Sequence, residues 1–122
     1  MKEIIHDYVN AYNNFDVPGM IRHLSDSVVF QNVSGGEVTL ELTGKEAFRK
    51  QAAQATKLFT NREQTVDSIH IEDNVAEVTI NYEGVLAQDL PNGPKAGDTL
   101  RLPGKSFFTF AEDKIVTLID ES

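Results

Sequence analysis

Residues 104–120, close to the C-terminus, constrain the fold of this chain most strongly. Two apolar runs, 104–110 and 114–120, flank a short acidic turn. β-Branched and aromatic runs on either side of a polar turn are typical of a β-hairpin. The second run ends in Asp120, and a carboxylate beside an apolar chamber is costly unless it is paired or used chemically. The alternatives at this point are an Asp120 that faces the interior and one that is a frayed, solvated chain end.

Composition excludes several classes of function. The 122 residues are 40% hydrophobic and 25% charged, which is ordinary for a single globular domain. The formal net charge of −8 argues against nucleic acid or an anionic membrane surface as partner, since both require clustered basic residues. The chain has no cysteine, so disulfides and thiolate chemistry are excluded. No apolar run has the length of a signal peptide or membrane span, and a cytoplasmic location is expected.

Helical periodicity predicts three helices. Apolar residues recur at helical spacing over residues 3–15, which indicates a helix with a wide buried face. Asp16 is a suitable N-cap for a short second helix with proline in its first turn, ended by residues 25–27. Residues 43–46 have the spacing of a capping box, which predicts a third helix that continues to about Phe59.

The remaining segments alternate between apolar and polar residues, as strands do. A hairpin is predicted around Gly35 and Gly36, and a second turn at Asp73 and Asn74. The order of elements is helix, helix, hairpin, helix and a long antiparallel meander, which is an α+β arrangement. A curved antiparallel sheet wrapped around a long helix would form a cone whose apolar interior suits a small ligand. The predicted strands cover residues 28–33, 38–42, 65–72, 75–86, 99–111 and 114–120.

Four stretches, residues 8–16, 24–30, 43–48 and 113–116, carry a resemblance that extends over nearly the whole chain. With this order of elements, the chain resembles the nuclear transport factor 2-like superfamily, which includes ketosteroid isomerase and the SnoaL-like polyketide cyclases. The resemblance implies one SnoaL-like domain over residues 1–122, with a cone-shaped α+β barrel. It also implies a homodimer formed through the outer face of the sheet. Because the superfamily contains many chemistries, the fold does not specify the reaction.

Ketosteroid isomerase moves a proton with a carboxylate on its first strand and binds the oxyanion with a tyrosine and a protonated aspartic acid. By resemblance, Tyr8 matches the tyrosine, and Ser106 falls near the second oxyanion donor. Asn32 stands where the general base should be, and asparagine cannot accept a proton at neutral pH. Isomerisation by that route is therefore disfavoured. The alternative to a catalytic role for Tyr8 is packing in the core.

The SnoaL-like cyclases are similar to this chain in the last strand, where they carry an aspartate used in acid–base catalysis. Asp120 matches that position. Strand alternation predicts that Val116, Leu118 and Asp120 share one face, and the resemblance implies that this face lines the cavity. The opposite face would carry Ile115, Thr117 and Ile119. Burial of Asp120 would raise its pKa towards neutrality, as a general acid or base requires.

These interpretations define a candidate site for a small hydrophobic molecule, with a filled core as the alternative. His70 is either a surface residue or the one imidazole of the cavity. No spacing of histidine and acidic residues suggests a metal site, and no cofactor is expected. One functional hypothesis is acid–base isomerase, cyclase or lyase chemistry on a hydrophobic carbonyl compound; the other is a non-catalytic dimeric carrier or interaction module. The candidate catalytic residues are Asp120 and Tyr8, and the candidate substrate-binding residues are Tyr12, Phe30, Asn32, Tyr82, Ser106, Phe108 and Leu118.

Overall fold

The computed structural model describes residues 1–91 and 93–122, and over these residues the predicted order of helices and strands is confirmed. A 3₁₀ turn at Thr56–Leu58 joins the third helix to the third strand. No helix of the described residues has both the length and the apolar character needed to span a membrane. The elements are α1 (Lys2–Asn13), α2 (Val17–Ile21), β1 (Leu24–Ser34), β2 (Glu37–Thr43), α3 (Lys45–Ala55), β3 (Phe59–Glu72), β4 (Val75–Leu86), β5 (Thr99–Ala111) and β6 (Lys114–Glu121).

The strands form one curved, unclosed sheet in the order β2-β1-β6-β5-β4-β3, and with its helices it confirms the α+β class. Strands β3 to β6 are the predicted antiparallel meander. One strand pair departs from the predicted antiparallel sheet, because β6 runs parallel to β1. Hairpin alternation along the meander fixes the direction of β6, and the end of the chain then inserts beside the first strand. This insertion brings Asp120 opposite Asn32.

One of the two predicted helix caps is present. The Asp16 carboxylate accepts a hydrogen bond from the Gly19 backbone N–H at 3.0 Å, as expected for the N-cap of α2. The predicted capping box is wrong, since Thr43 is the last residue of β2 and pairs with Val29. Gly44 stands at the N-cap of α3 with φ of 98°, a conformation that glycine adopts without strain. Thr43 therefore belongs to strand β2 and does not cap α3.

The core lies between the sheet and the helices. The ring of Tyr8 on α1 meets Phe108 on β5 edge-on with centroids 5.7 Å apart. The ring of Phe48 on α3 meets Phe30 on β1 in the same way at 5.2 Å. Edge-to-face pairs of this kind stabilise a core beyond the area that they bury. They pack α1 against β5 and α3 against β1, which are separated by β6 in the sheet, so the space between these helices is where a cavity can remain.

The alternation predicted for β6 fails at Val116. The pairing of β5 with β6 shifts between Thr109 and Phe110, so one extra residue is accommodated on β6. Ile115 and Leu118 are consequently both buried in the core, although strict alternation would place them on opposite faces. Val116 is left out of the core, which corrects its predicted place beside Leu118. Beyond the bulge the alternation resumes, and Leu118 and Asp120 share the inner face.

Candidate functional site

Asp120 lies on the inner face of β6, between the two strands that flank it. Its register partners are Asn32 on the parallel strand β1 and Ser106 on the antiparallel strand β5. The Ser106 hydroxyl donates a hydrogen bond to Asp120 Oδ1 at 2.7 Å. Ser106 is only 3% exposed, whereas Asp120 is partly buried and borders two cavities. The carboxylate is therefore fixed by Ser106 on one side and accessible from the two cavities on the other.

The environment of Asp120 changes its acidity. Burial raises the pKa of Asp120 from 3.8 to about 6, and the hydrogen bond from Ser106 opposes this rise. Desolvation disfavours the charged form of a carboxylate, while a donor that contacts the carboxylate favours it. A carboxyl group with such a pKa exchanges a proton readily near neutral pH, which is the condition for general acid–base catalysis.

The first cavity, called here the inner cavity, has a volume of about 160 Å³. Aliphatic and aromatic side chains of α1, α2, α3, β1, β2 and β3 form most of its wall, Phe30 and Phe59 among them. Its polar groups are few, which is the usual composition of a small-molecule site. The polar and charged side chains that reach it are Tyr8, Tyr12, Asn32, Gln51, Arg62 and Asp120.

A second and wider space, the outer cavity, has a volume of about 320 Å³. Tyr12, Asn32 and Asp120 border both cavities, so these three residues form the boundary between them. The outer cavity adds Tyr82 from β4 and Lys105 from β5. Asp120 is thus reachable from two sides, one mostly apolar and enclosed by the helices, the other at the end of the sheet.

Three tyrosines surround this boundary as neutral hydrogen-bond donors. Burial raises the pKa of Tyr8 well above its usual value of 10.0, and the charge of Asp120 adds to the effect. Burial also raises the pKa of Tyr12 and of Tyr82. The Tyr12 and Tyr82 rings meet edge-on with centroids 6.3 Å apart. Phenols that resist ionisation keep their protons and remain hydrogen-bond donors at neutral pH.

Not every predicted site residue reaches a cavity. Tyr8, Tyr12, Phe30, Asn32, Tyr82 and Asp120 do. Phe108 and Leu118 lie in the core instead, 1% and 0% exposed, and line neither cavity. Ser106 lies behind Asp120 and contacts it directly. The side chain of His70 is 73% exposed beside Glu72, which settles its alternatives in favour of the surface.

The sequence interpretation did not include Arg62, which the structure brings to the wall of the inner cavity. Arg62 is 3% exposed and lies on β3. The reason for the omission is local: β3 was predicted to begin at Thr65, and it begins at Phe59. The six residues before Thr65 were therefore assigned no inward or outward face. Within the two described ranges, no three histidine or acidic side chains gather closely enough to hold a metal ion.

The fold and the site define a class of α+β protein in which a curved sheet and helices enclose a small cavity bordered by an acid and several phenols. The model of the SnoaL-like domain family matches residues 5–118, and the chain belongs to that family. None of the curated proteins matches the sequence significantly.

Solved structures share the fold at low sequence identity. A protein described as a candidate polyketide cyclase from Xanthomonas campestris is 19% identical, with a TM-score of 0.84 over 99% of this chain and 88% of that protein. TsrD from Streptomyces laurentii is 16% identical, with a TM-score of 0.81 over 98% of this chain and 85% of TsrD. A protein with a ketosteroid isomerase-like fold from Catenulispora acidiphila, in complex with trimethylamine, is 14% identical, with a TM-score of 0.78 over 97% and 83% of the two chains.

Proposed function

We propose that this protein binds a small hydrophobic carbonyl compound in the inner cavity. In this proposal Asp120 removes a proton from the compound and returns it, without a cofactor. The observation that carries the proposal is the state of Asp120: a carboxyl group at the boundary of two cavities, with a pKa raised by burial to about 6. Membership of the SnoaL-like family supports it, as does the likeness to a candidate polyketide cyclase.

In the proposed reaction, ionised Asp120 removes a proton from the carbon next to the ligand carbonyl. The electron pair of that C–H bond moves to the carbonyl oxygen, where Tyr8 or Asn32 donates a hydrogen bond to the resulting enolate. If a C=C bond is conjugated with the enolate, return of the proton from Asp120 to the far carbon of that bond gives an isomer. If the enolate carbon attacks a second carbonyl of the ligand instead, a ring forms, and the new alkoxide oxygen takes the proton back from Asp120. Both outcomes balance without an added oxidant, reductant or cofactor. In this proposal Ser106 acts as a positioning residue, because it contacts Asp120 and lines neither cavity.

The experiment is proton exchange on simple ketones. Phenylacetone and 2-tetralone, incubated in D₂O with the protein near pH 7, are expected to gain deuterium next to the carbonyl faster than in buffer. The Asp120→Asn variant should reduce the protein-dependent rate by about 100-fold or more, within the range that general acid–base catalysis contributes. Ser106→Ala should instead shift the pH profile upward, since it removes the hydrogen bond that lowers the pKa of Asp120.

The matched control is Asp113→Asn. Asp113 is an exposed carboxylate at the turn that precedes the same strand, and its φ of 61° is one that asparagine tolerates. This variant should exchange at the wild-type rate. Exchange that is equally fast in wild type and in Asp120→Asn would remove Asp120 from the mechanism. Ligand binding without any exchange would favour the second hypothesis, a non-catalytic carrier.

We also propose that the protein is a homodimer and that it acts in the cytoplasm. The dimer is suggested by the resemblance to the superfamily and by two side chains on the face of the sheet away from the core. Phe107 and Ile119 are directly opposite each other on β5 and β6, and both are only partly buried. Such a pair gains stability when a second surface covers it. The cytoplasmic location rests on the sequence argument alone.

A further inference from the structure

We propose that Arg62 is the anion-binding residue of the inner cavity and that the natural ligand is a small, single-ring hydrophobic carbonyl compound that also carries a carboxylate. The proposal rests on the function proposed above for the use of the same cavity and for the carbonyl group. It adds the chemical class of the ligand and a binding residue that the acid–base argument does not use.

The position of Arg62 is tightly determined. Its Nε donates a hydrogen bond to the Tyr12 backbone carbonyl at 2.9 Å. Its Nη2 lies 3.8 Å from the Met20 sulfur. The guanidinium carbon is 3.7 Å from the centroid of the Tyr12 ring and 4.8 Å from that of Phe15. The aromatic rings and the end of α1 therefore hold the group in one orientation at the wall of the cavity.

The charge of Arg62 is not neutralised by an acidic side chain. No salt bridge of the described residues includes Arg62, and the carboxylate that shares its cavity, Asp120, accepts its hydrogen bond from Ser106. A cation that is 97% removed from water is costly unless an anion pairs with it. The helix carbonyl and the two ring faces compensate only in part, since such contacts are individually weak. A bound anion would supply the negative charge that pairs with Arg62.

The size and shape of the site indicate which anion. A guanidinium is a planar fork that matches a carboxylate better than a spherical ion. A cavity of about 160 Å³ is close to the apolar cavity of about 150 Å³ that accommodates benzene in another protein. Phe30 and Phe59 in the wall favour an aromatic or other flat ring. Tyr8 and Tyr12 line the same cavity as Arg62 and Asp120, so their hydroxyl groups add hydrogen-bonding groups to its wall.

The competing explanation is that Arg62 only fastens the end of α1 to β3. A fastening role predicts a loss of stability on substitution and no preference between charged and neutral ligands. An anion-binding role predicts that the preference itself depends on Arg62. The two ligands compared must therefore differ in charge and be alike in shape.

The probes are phenylacetate and phenylacetamide, titrated by calorimetry or NMR at about pH 7.5, where the acid is ionised. The wild-type protein should bind phenylacetate about 10- to 100-fold more tightly, as expected for a hydrogen bond to a charged group. Arg62→Gln should abolish this preference and leave the affinity for phenylacetamide within about threefold of wild type. Arg62→Lys, which keeps the charge and loses the fork, should retain part of the preference. The control Arg101→Gln removes a cation whose side chain is 74% exposed, and should change neither affinity.

Equal affinity of the wild-type protein for the two probes, or binding of neither, would overturn the proposal. So would a preference that survives in Arg62→Gln. If Arg62→Gln fails to fold, as circular dichroism would show, the wild-type comparison and Arg62→Lys decide the question. The Asp120→Asn variant separates this proposal from the preceding one, because it should lose proton exchange while the preference for phenylacetate is kept or increased by removal of a like charge from the cavity. If the wild-type protein prefers phenylacetate but catalyses no proton exchange, the proposed acid–base reaction is refuted and the anion-binding role of Arg62 stands.

Discussion

Asp120 illustrates, at the scale of one residue, how a site opposes the stability of its own fold. Burial of this carboxyl group disfavours its charged form, and one hydrogen bond from Ser106 returns only part of the lost solvation. A residue selected for packing alone at this position would be neutral. The elevated pKa is therefore a cost to folding at neutral pH, and functional sites commonly carry such costs.

Asp120→Asn is accordingly expected to stabilise the protein at high pH. The pKa of Asp120 is 3.8 unfolded and about 6 folded, so the folded state binds more protons between these values and stability falls as pH rises through them. The amide can still accept from Ser106 and has no charge to desolvate. Near pH 8 the variant should be more stable by up to about 3 kcal/mol, at ~1.4 kcal/mol per pKa unit. Near pH 3.5 the difference should vanish.

Urea denaturation of both proteins at the two pH values measures this difference, and the exposed Asp113→Asn serves as control. Other carboxyl groups titrate in the same range, but they are common to both proteins and cancel in the comparison. A variant that is destabilised equally at both pH values would show that the charge of Asp120 is not what opposes folding.

At the scale of the elements, Gly84 on β4 leaves room for the aromatic rings of Tyr82 and Phe59. A Cβ atom added to Gly84 would lie 2.8 Å from the Tyr82 hydroxyl and 2.9 Å from two ring carbons of Phe59. The Tyr82 and Phe59 rings meet edge-on with centroids 6.0 Å apart, and they border the outer and inner cavities respectively. A strand glycine whose space is filled by neighbouring rings commonly marks such a close approach.

Gly84→Ala is therefore expected to lower stability by about 1–3 kcal/mol through overpacking. It should also shift the ring resonances of Tyr82 and Phe59 in NMR spectra and weaken binding of phenylacetamide. The double variant Gly84→Ala with Phe59→Leu supplies the control, because the smaller side chain makes room for the added methyl group. The two substitutions should be less destabilising together than their sum, a coupling that a double-mutant cycle measures. Strict additivity would show that Gly84 and Phe59 do not compete for space.

The individual strands also show what a sequence can and cannot reveal. The bounds of β4 and β5 were predicted to the residue, because turn residues punctuate strong alternation at both ends. The register of β6 was not predicted. The bulge at Val116 depends on how β6 pairs with β5, and no residue within β6 signals it. The parallel pairing of β1 with β6 is likewise a contact between strands far apart in the sequence.

At the scale of the whole molecule, the family and the α+β class were accessible from the order of elements, and the site only in part. Asp120 and Tyr8 were predicted because they match positions in the superfamily that the chain resembles, and both border the inner cavity. Arg62 was missed because β3 was predicted to begin only at Thr65, and its burial without a salt-bridge partner is a property of the assembled structure. Phe108 was placed at the cavity by strand alternation, and Leu118 by alternation together with the resemblance. Alternation gives the face on which a residue lies but not its depth behind other side chains.

The last prediction concerns assembly. If Phe107 and Ile119 lie in a dimer interface, light scattering at micromolar concentration should give a dimer mass, and Phe107→Glu should give a monomer because it buries an unpaired charge. Gln54→Glu on the exposed side of α3 adds the same charge outside the proposed interface and should leave the dimer intact. Each chain has a formal net charge of −8, so repulsion opposes association and the dimer should tighten as salt rises from 0.01 to 0.15 M. A wild-type monomer mass across this range would contradict the dimer, and dissociation by salt would show that ion pairs rather than the apolar pair hold the two copies together.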